Sequence, residues 1–376
     1  MKENIEKRCI YHVPNYINPK GNSGSSIRPQ KMLQAFKNIG YNVDVVMGYA
    51  KDRKKQINRI KDNIKKGIKY EFMYSESSTM PTLLTEKNHL PTHPFLDFGF
   101  MKFCKKNNIK IGLYYRDIYW RFPYYRESVN NTIKRNFAIF MYNYDFYKYN
   151  KLLDYIYIQS LGMKEYFPKN KNKMNVGILP PGCEKNEKLI WQKKDYLKNV
   201  NTKNINIFYV GGIGRLYNIE NLLKIANKKE FLNLTICCRK DEWDKEYEKY
   251  KGLLCPRITI VHAHSSELEK YYKDADICSI YFPQEEYRNF VMPIKLFEYI
   301  GNVTPIIATA NTATGNFVEE NDIGWAIAND NELEDLFEKI YNNREELLKK
   351  YYNLEKVLES NTWEKRAQKV ADDLKD

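Results

Sequence analysis

The chain has 376 residues, a mean hydropathy of −0.66 and a formal net charge of +14. Its length suggests two domains rather than one, and the absence of any apolar run of about 18 residues excludes a membrane-spanning helix. The N-terminal stretch Met1–Arg8 is charged and lacks the apolar segment of a signal peptide. The seven cysteines show no CxxC or Cys/His metal spacing. We therefore expect a cytoplasmic protein with reduced thiols.

The positive charge is concentrated in the first half of the chain. Residues 1–184 contain 32 Lys and Arg against 15 Asp and Glu, a net charge of +17, whereas residues 185–376 contain 29 against 32, a net charge of −3. Such a one-sided field attracts anionic surfaces such as lipid headgroups, nucleic acid or acidic glycans. A general bias of the sequence toward lysine is the alternative explanation.

Strand and helix patterns alternate through most of the sequence, which favours parallel sheets of the α/β kind. Arg8–Val13 predicts the first strand, and a loop rich in Gly, Ser and Asn over residues 18–26 leads from it into a helix. Asn42–Met47 predicts the second strand. A glycine-containing loop at this position lets backbone approach a ligand closely. An ordinary solvent-exposed loop is the alternative.

The fourth predicted strand, Ile109–Tyr115, ends on Arg116 and Asp117. Ligands of open α/β sheets bind outside the carboxyl ends of the strands. Asp117 is therefore a candidate general base. The alternative is that its carboxylate caps a turn.

Residues 127–151 predict one long helix in which Phe137, Phe140, Met141 and Tyr144 recur at helical spacing. Basic residues lie at both ends of this aromatic stripe, a combination that fits a helix lying on a membrane surface. Packing into the core is the commoner meaning of such a stripe and is the preferred interpretation. Further along, the two prolines and the glycine in Val176–Gly182 predict an interdomain linker.

A second strand–helix series starts at Asn206–Val210, which enters the glycine-rich turn Gly211–Arg215. Turns of this kind let a phosphate reach the next helix N-terminus. A nicotinamide cofactor is disfavoured because Tyr217 stands where G-x-G-x-x-G requires its third glycine. His262 and His264 are two residues apart, but no third ligand follows at useful spacing, so we reject a metal site.

The stretch Asn289–Ala308 predicts a short amphipathic helix followed by a strand that begins near Pro305. Pro293 suits the first helical position, and Gly301 suits the C-terminal cap. The N–H groups and the macrodipole at such a helix start favour an anion. Lys295 adds a positive charge there, and Glu298 lies on the same face. A diphosphate and a pair of sugar hydroxyls would fit this arrangement, and a solvated ion pair on an ordinary helix is the alternative.

The motif Met292-Pro-x-Lys295-x-x-Glu298-Tyr299, with Gly301 and Pro305-Ile-Ile after it, resembles the donor-site signature of GT-B glycosyltransferases of the family 4 type. In that family the lysine meets the nucleotide diphosphate and the glutamate meets the ribose of the donor. Many members carry a second glutamate that contacts the donor sugar, and Phe290 occupies that position here. The resemblance spans nearly the whole chain and is strongest over residues 292–307.

The resemblance implies roles for further residues. On the donor side it implies contacts from Gly212, from Arg215 to phosphate, from the main chain near His264 to the nucleobase, and from Met292. On the acceptor side, or in the cleft, it implies Gly24, Arg28 and Arg116. An Asp or His at the strand end occupied by Asp117 meets the acceptor or the donor sugar in several GT-B enzymes. If Asp117 is the base, inversion of configuration follows.

The fold implied by the resemblance is α/β, with two Rossmann-like domains facing a cleft. The expected boundaries are an acceptor-binding domain over 1–182, a donor-binding domain over 183–360, and a C-terminal helix over 361–376 that returns to the N-terminal domain. The expected reaction is metal-independent transfer of a sugar, with a UDP-sugar as co-substrate and no other cofactor, to a glycan or lipid-linked acceptor. Such a reaction would serve bacterial surface polysaccharide or glycoconjugate synthesis, with the basic half in contact with the inner face of the cell membrane.

Two alternatives follow from particular features of the sequence. A catalytically silent GT-B partner subunit, or a glycan-binding protein, is kept as an alternative because Phe290 replaces the usual glutamate. A nucleic-acid-binding protein has only the positive charge in its favour, since the sequence contains no recognised module of that kind. We therefore expect no nucleic acid as a partner.

Overall fold

A computed structural model of the chain describes residues 6–21, 23–168, 174–199 and 204–375. The first five residues of the charged N-terminal stretch lie outside the described residues. The chain divides into two compact units, which are Met1–Pro181 together with Trp363–Asp376, and Gly182–Thr362. They are called unit 1 and unit 2 below.

Unit 1 contains a six-stranded sheet in which every pair of neighbouring strands is parallel, with the order β2-β1-β3-β4-β5-β6. The strands are β1 (Arg8–His12), β2 (Asn42–Val46), β3 (Phe72–Glu76), β4 (Lys110–Tyr114), β5 (Tyr155–Ile158) and β6 (Asn175–Ile178). The helices between them are α1 (Gly24–Asn38), α2 (Ala50–Lys65), α3 (Leu96–Lys106), α4 (Pro123–Ser128) and α5 (Thr132–Leu152). Parallel strands need crossover connections of this kind. The predicted sheet type is therefore confirmed.

The last helix of the chain, α14 (Trp363–Leu374), packs on unit 1 against α1 and β4. Its buried side chains recur at helical spacing and join the core that contains Phe36 and Phe72; they are Trp363, Ala367, Val370, Ala371 and Leu374. The predicted return of the C-terminal helix to the N-terminal half is confirmed.

Unit 2 contains a second six-stranded parallel sheet, with the order β12-β11-β10-β7-β8-β9. The strands are β7 (Ile205–Val210), β8 (Leu232–Cys237), β9 (Ile258–Val261), β10 (Ile277–Ile280), β11 (Ile306–Thr309) and β12 (Gly324–Ile327). The helices are α6 (Glu187–Asn199), α7 (Glu220–Lys228), α8 (Lys240–Tyr250), α9 (Glu269–Asp274), α10 (Ile294–Gly301), α11 (Ala313–Glu320), α12 (Asp330–Asn342) and α13 (Glu345–Ser360). This strand order is that of dinucleotide-binding Rossmann folds.

Helix α10 has different ends from those predicted. Pro293 is the N-cap rather than the first helical residue, and Gly301 is the last helical residue rather than a left-handed cap. A glycine is needed at this position because the backbone of Glu184 passes close to it. A Cβ on Gly301 would lie 2.3 Å from the carbonyl oxygen of Glu184. The strand predicted near Pro305 is β11.

The long helix predicted over 127–151 is two helices, α4 and α5, and the core-packing interpretation of its aromatic stripe is wrong for Phe137 and Phe140. Phe137 and Phe140 are 40% and 63% exposed. The buried face of α5 is instead formed by Ala138, Tyr142, Asp145, Phe146, Tyr149 and Leu152. Because aromatic residues occupy both faces, helical spacing alone did not identify the core side. None of the described helices, α5 included, is long and apolar enough to cross a bilayer.

Candidate functional site

Both sheets reverse their strand order at one point. In unit 1 the order reverses between β1 and β3, and in unit 2 it reverses between β7 and β10. Loops that leave two such strands at their carboxyl ends turn to opposite sides of the sheet, which creates a crevice where ligands bind. Most of the sequence-predicted site residues follow these strands or their neighbours.

In unit 1 a buried carboxylate organises the edge of the sheet. Glu76, at the end of β3, is fully buried. One of its oxygens accepts a hydrogen bond from Arg116 Nη2 at 3.0 Å, and the other lies 3.5 Å from Arg28 Nε. Two guanidinium groups against one carboxylate give this group of three side chains a net positive charge.

Two tyrosines complete the set of groups around Glu76. The hydroxyl of Tyr74 donates to the carboxylate at 3.1 Å, and that of Tyr11 shares its proton between the carboxylate at 3.3 Å and the carbonyl of Pro29 at 2.8 Å. Burial, followed by the charge of Glu76, raises the pKa of both tyrosines well above its ordinary value. The two hydroxyls therefore stay protonated and act as donors that hold the carboxylate in place.

The predicted acceptor-side residues of unit 1 are held together by these contacts. Arg28 is 2% exposed and its Cζ lies 3.4 Å from the centre of the Tyr114 ring. Arg116 donates through Nε to the carbonyl of Ser77 at 3.1 Å and through Nη1 to the carbonyl of Gly24 at 3.4 Å. The structure thus brings Gly24, Arg28 and Arg116 into one network, in which the side chains of Arg28 and Arg116 are 2% and 10% exposed.

Asp117 lies three residues after the end of β4, beyond the strand as predicted, and is half-buried. Its Oδ1 accepts a hydrogen bond from the backbone N–H of Tyr119 at 3.0 Å. This is the turn-capping contact that was predicted as the alternative to a role as general base. A carboxylate has two oxygens and about four lone-pair sites, so this cap does not use up its capacity to accept a proton.

In unit 2 the glycine-rich turn after β7 encloses a carboxylate from its own chain. The backbone N–H groups of Ile213 and Gly214 donate to Glu242 Oε1 at 3.1 and 3.2 Å. A Cβ on Gly212 would lie 3.1 Å from the same oxygen, so the absence of a side chain lets Glu242 enter. The turn can therefore hold an oxyanion, and Glu242 provides it in this structure.

Lys295 and Glu298 lie together on the first two turns of α10. Lys295 Nζ donates to Glu298 Oε2 at 2.8 Å, and the two side chains are 30% and 28% exposed. The helix buries its other face through Leu296, Phe297 and Ile300. Because that face packs into the core, Lys295 and Glu298 lie on the side of the helix that faces away from the core.

The remaining predicted donor-side residues are dispersed over unit 2. Arg215 begins a short 3₁₀ turn after the glycine-rich loop and is exposed. His264 follows β9, is exposed, and its backbone N–H donates to Glu267 Oε2 at 2.9 Å. Met292 is 5% exposed and belongs to the core of the unit. No group of three or more His, Cys, Asp or Glu within the described part of the chain could hold a metal ion.

Sequence reasoning missed Glu76, Glu242 and Arg288. Glu76 is the last residue of a strand, a position that the strand pattern could have indicated. Glu242 lies in the first turn of α8, where an acidic residue is also ordinary helix chemistry. Arg288 lies in the short 3₁₀ turn Glu286–Phe290 between β10 and α10, and no sequence pattern marks it.

Comparison with known proteins supports the fold. Residues 272–371 match the family model described as "Glucosyltransferase 3-like, C-terminal domain". A search of curated proteins found no match. Among solved structures, the chain is similar to the sucrose-phosphate synthase of Thermosynechococcus elongatus, with 14% identity and a TM-score of 0.62 over 97% of this chain and 98% of the other.

Two other solved structures match at similar levels. The HepE protein of Anabaena, solved with UDP and glucose, has 10% identity and a TM-score of 0.63 over 97% and 99% of the two chains. A glycosyltransferase of Rickettsia africae has 14% identity and a TM-score of 0.63 over 98% of each chain. The chain therefore has the GT-B fold of two Rossmann-like domains. Assignment to the family 4 type stays a prediction.

Proposed function

We propose that the chain is a glycosyltransferase that moves a sugar from a nucleoside diphosphate donor to a hydroxyl group. The observation that carries this proposal is the Lys295–Glu298 pair, which lies near the start of the helix that follows β10, one of the two strands at the reversal point of unit 2. A cation and a carboxylate at such a place match the two halves of a nucleotide sugar, its diphosphate and its ribose.

On the donor side, the Lys295 ammonium would neutralise the diphosphate as it leaves, which is the role that a divalent metal ion performs in other transferases. Arg215 would add a second positive charge. Glu298 would turn from Lys295 to the ribose and accept hydrogen bonds from its hydroxyls. In this proposal the donor binds to residues 183–360, with the backbone at Gly212, His264 and Met292 lining the site.

The comparisons favour a UDP-sugar as the donor. The family model that matches residues 272–371 is described as glucosyltransferase-like, and the similar HepE structure contains UDP and glucose. We therefore place UDP-glucose first among candidate donors. Synthesis of a surface polysaccharide or glycoconjugate would be a fitting context for such a transfer.

On the acceptor side, Asp117 would take the proton of the attacking hydroxyl. The hydroxyl oxygen forms a bond to the anomeric carbon, the bond from that carbon to the diphosphate oxygen breaks, and the proton goes to the Asp117 carboxylate. Direct displacement of this kind inverts the anomeric configuration. Arg116, held in place by Glu76 and Ser77, would meet the acceptor beside it, within the domain over residues 1–182.

An anionic membrane surface is the proposed location of the acceptor. Ile133, Phe137 and Phe140 lie along one face of α5 and are 82%, 40% and 63% exposed. Lys134 is exposed beside them, and the first half of the chain carries the whole excess of positive charge. Exposed apolar side chains next to basic residues are the combination by which a helix binds an anionic lipid surface. The inner face of the cell membrane would present such a surface.

One observation favours a second candidate, a catalytically silent GT-B protein that binds a glycan or supports an active partner. Phe290, at the position where the related family carries a glutamate for the donor sugar, is fully buried. That side chain offers the sugar no polar group. A silent protein would bind a nucleotide or a glycan without breaking the donor.

The test of the proposed function has two stages. Thermal-shift measurements with UDP, GDP, ADP and their sugar conjugates identify the donor, since one class should raise the melting temperature and the others should not. Release of the nucleoside diphosphate is then followed with a panel of hydroxyl acceptors. Binding without release under any acceptor would support the silent candidate, and binding of no nucleotide would refute the proposed donor site.

A further inference from the structure

A third basic residue of unit 2 lies at the reversal point of the sheet. β7 leads into the glycine-rich turn and then into Tyr217, and β10 leads into Phe282 and the 3₁₀ turn that carries Arg288. The Arg288 Cζ lies 4.3 Å from the centre of the Phe282 ring and 5.6 Å from that of Tyr217. Arg288 therefore spans the elements that follow the two central strands.

The guanidinium of Arg288 makes no hydrogen bond to the described residues, and its Nε is buried without an acceptor. The acidic neighbour that acts on it electrostatically is Glu285. Burial lowers the pKa of Arg288 despite the opposing influence of Tyr217 and Glu285. The surroundings thus leave the positive charge incompletely compensated, and a buried N–H without an acceptor destabilises the state that contains it.

In this structure the glycine-rich turn does not offer its backbone N–H groups to a ligand. The N–H groups of Ile213 and Gly214 are already bonded to Glu242. In many nucleotide-binding sheets such backbone groups bind the phosphate. With this cradle occupied by a carboxylate, side-chain cations near the reversal point become more important for binding an oxyanion.

We propose that Arg288 binds an oxyanion of the nucleotide-sugar donor, either a phosphate of the diphosphate or a carboxylate on the transferred sugar. This inference rests on the proposed function. The planar guanidinium suits either group because two parallel N–H donors match two oxygens. Contact with the Phe282 ring, 4.3 Å from Cζ, restricts the guanidinium, which reduces the conformational freedom that is lost when the ligand binds.

The test compares ligand affinities of the wild-type protein with those of Arg288→Gln and Arg288→Lys by isothermal titration calorimetry. The three ligands are UDP, UDP-glucose and UDP-glucuronate. Lys339→Gln is the matched control, because it removes one positive charge from an exposed site on α12 of the same unit. Melting temperatures without ligand show that each variant is folded. Arg288→Lys keeps the charge, so it should retain part of the affinity. It provides the comparison with the wild type if Arg288→Gln proves unstable.

The expected result is that Arg288→Gln weakens binding by about ten- to a hundred-fold while the control changes it less than about twofold. Weakening of all three ligands identifies a phosphate, and weakening of UDP-glucuronate alone identifies a sugar carboxylate. Unchanged affinity of folded Arg288 variants for all three ligands would overturn the inference while leaving the proposed function in place. If the wild-type protein binds none of the three, both the inference and the UDP-sugar donor are refuted.

Discussion

Lys295 and Glu298 form an ion pair at 2.8 Å, with close to a third of each side chain exposed. Such a pair contributes little to the stability of the fold, because water competes for both charges. Its partial exposure also means that a ligand can separate the two groups without opening the core. The two residues are thus better placed to bind a ligand than to stabilise α10.

The first prediction concerns Lys295. Lys295→Ala should weaken UDP binding about tenfold or more, because it removes a charge-assisted contact to the diphosphate, and should leave the melting temperature nearly unchanged. Calorimetric titration with UDP measures the first effect. Lys188→Ala is the control, since Lys188 is an exposed lysine of the same unit that is paired with Glu269. Equal affinity of Lys295→Ala and wild type for UDP would remove the basis of the donor site.

The second prediction separates the two roles of Asp117. Asp117→Asn keeps an oxygen that can accept from the backbone of Tyr119, so the turn should stay intact. The amide cannot take a proton, and the turnover number should fall about 10²- to 10⁴-fold with little change in UDP affinity. Steady-state transfer kinetics provide the measurement. An undiminished turnover number would show that Asp117 only caps the turn.

The third prediction concerns Asp145 on the buried face of α5. Its Oδ2 accepts from the backbone N–H of Thr82 at 2.7 Å, whereas its Oδ1 is buried without a hydrogen-bond partner. Burial raises the pKa of this carboxyl group to about 7. Between about pH 4 and pH 7 the folded state therefore holds a proton that the unfolded state has released, and the free energy of unfolding falls as the pH rises through this window.

Asp145→Asn should abolish this dependence. A pKa raised by about three units corresponds to roughly 4 kcal/mol, so the variant should be more stable than wild type at pH 8 and nearly equal at pH 4. Chemical denaturation at the two pH values measures the difference. Asp62→Asn, at an exposed position with a salt bridge to Lys65, is the control. A stability difference that is the same at both pH values would contradict the prediction.

The fourth prediction concerns the exposed face of α5. The double variant Phe137→Ser/Phe140→Ser should lose at least about tenfold in affinity for vesicles that contain anionic lipid, because each phenylalanine buried in lipid contributes about 1.5–3 kcal/mol. Cosedimentation with phosphatidylglycerol vesicles, against phosphatidylcholine vesicles, provides the assay. Tyr352→Ser removes a comparably exposed aromatic residue from unit 2 and should have no effect. If the wild-type protein does not bind anionic vesicles, the membrane proposal is wrong.

Much of the fold could be predicted because alternating strands and helices restrict the topology. The parallel sheets, the helix at Lys295 and the strand after it follow from local patterns of apolar residues, proline and glycine. The resemblance to GT-B enzymes added the double Rossmann-like architecture and, through residues 361–366, the return of the last helix. Asp117 was placed correctly beyond its strand for the same reason, since a strand pattern that stops at a polar residue indicates where the edge of the sheet lies.

The contacts that shape the candidate site could not be predicted in this way. Glu76 and Arg116 are 40 residues apart and meet only because β3 and β4 are neighbours, and strand order is not a local property of sequence. Glu242 enters the glycine-rich turn from a different crossover helix for the same reason. On α5, the spacing of the aromatic residues predicted the wrong face as the buried one. Burial depends on what packs against the helix rather than on the helix alone.

The placement of α14 in unit 1 has a consequence for the order of events during translation. Unit 1 begins at the first residue but obtains Trp363 and Leu374 for its core only after all of residues 182–362 have been made. Unit 2 is continuous in the chain and can fold as soon as it has emerged from the ribosome. The half that is synthesised first therefore cannot complete its apolar core until the other half has been made.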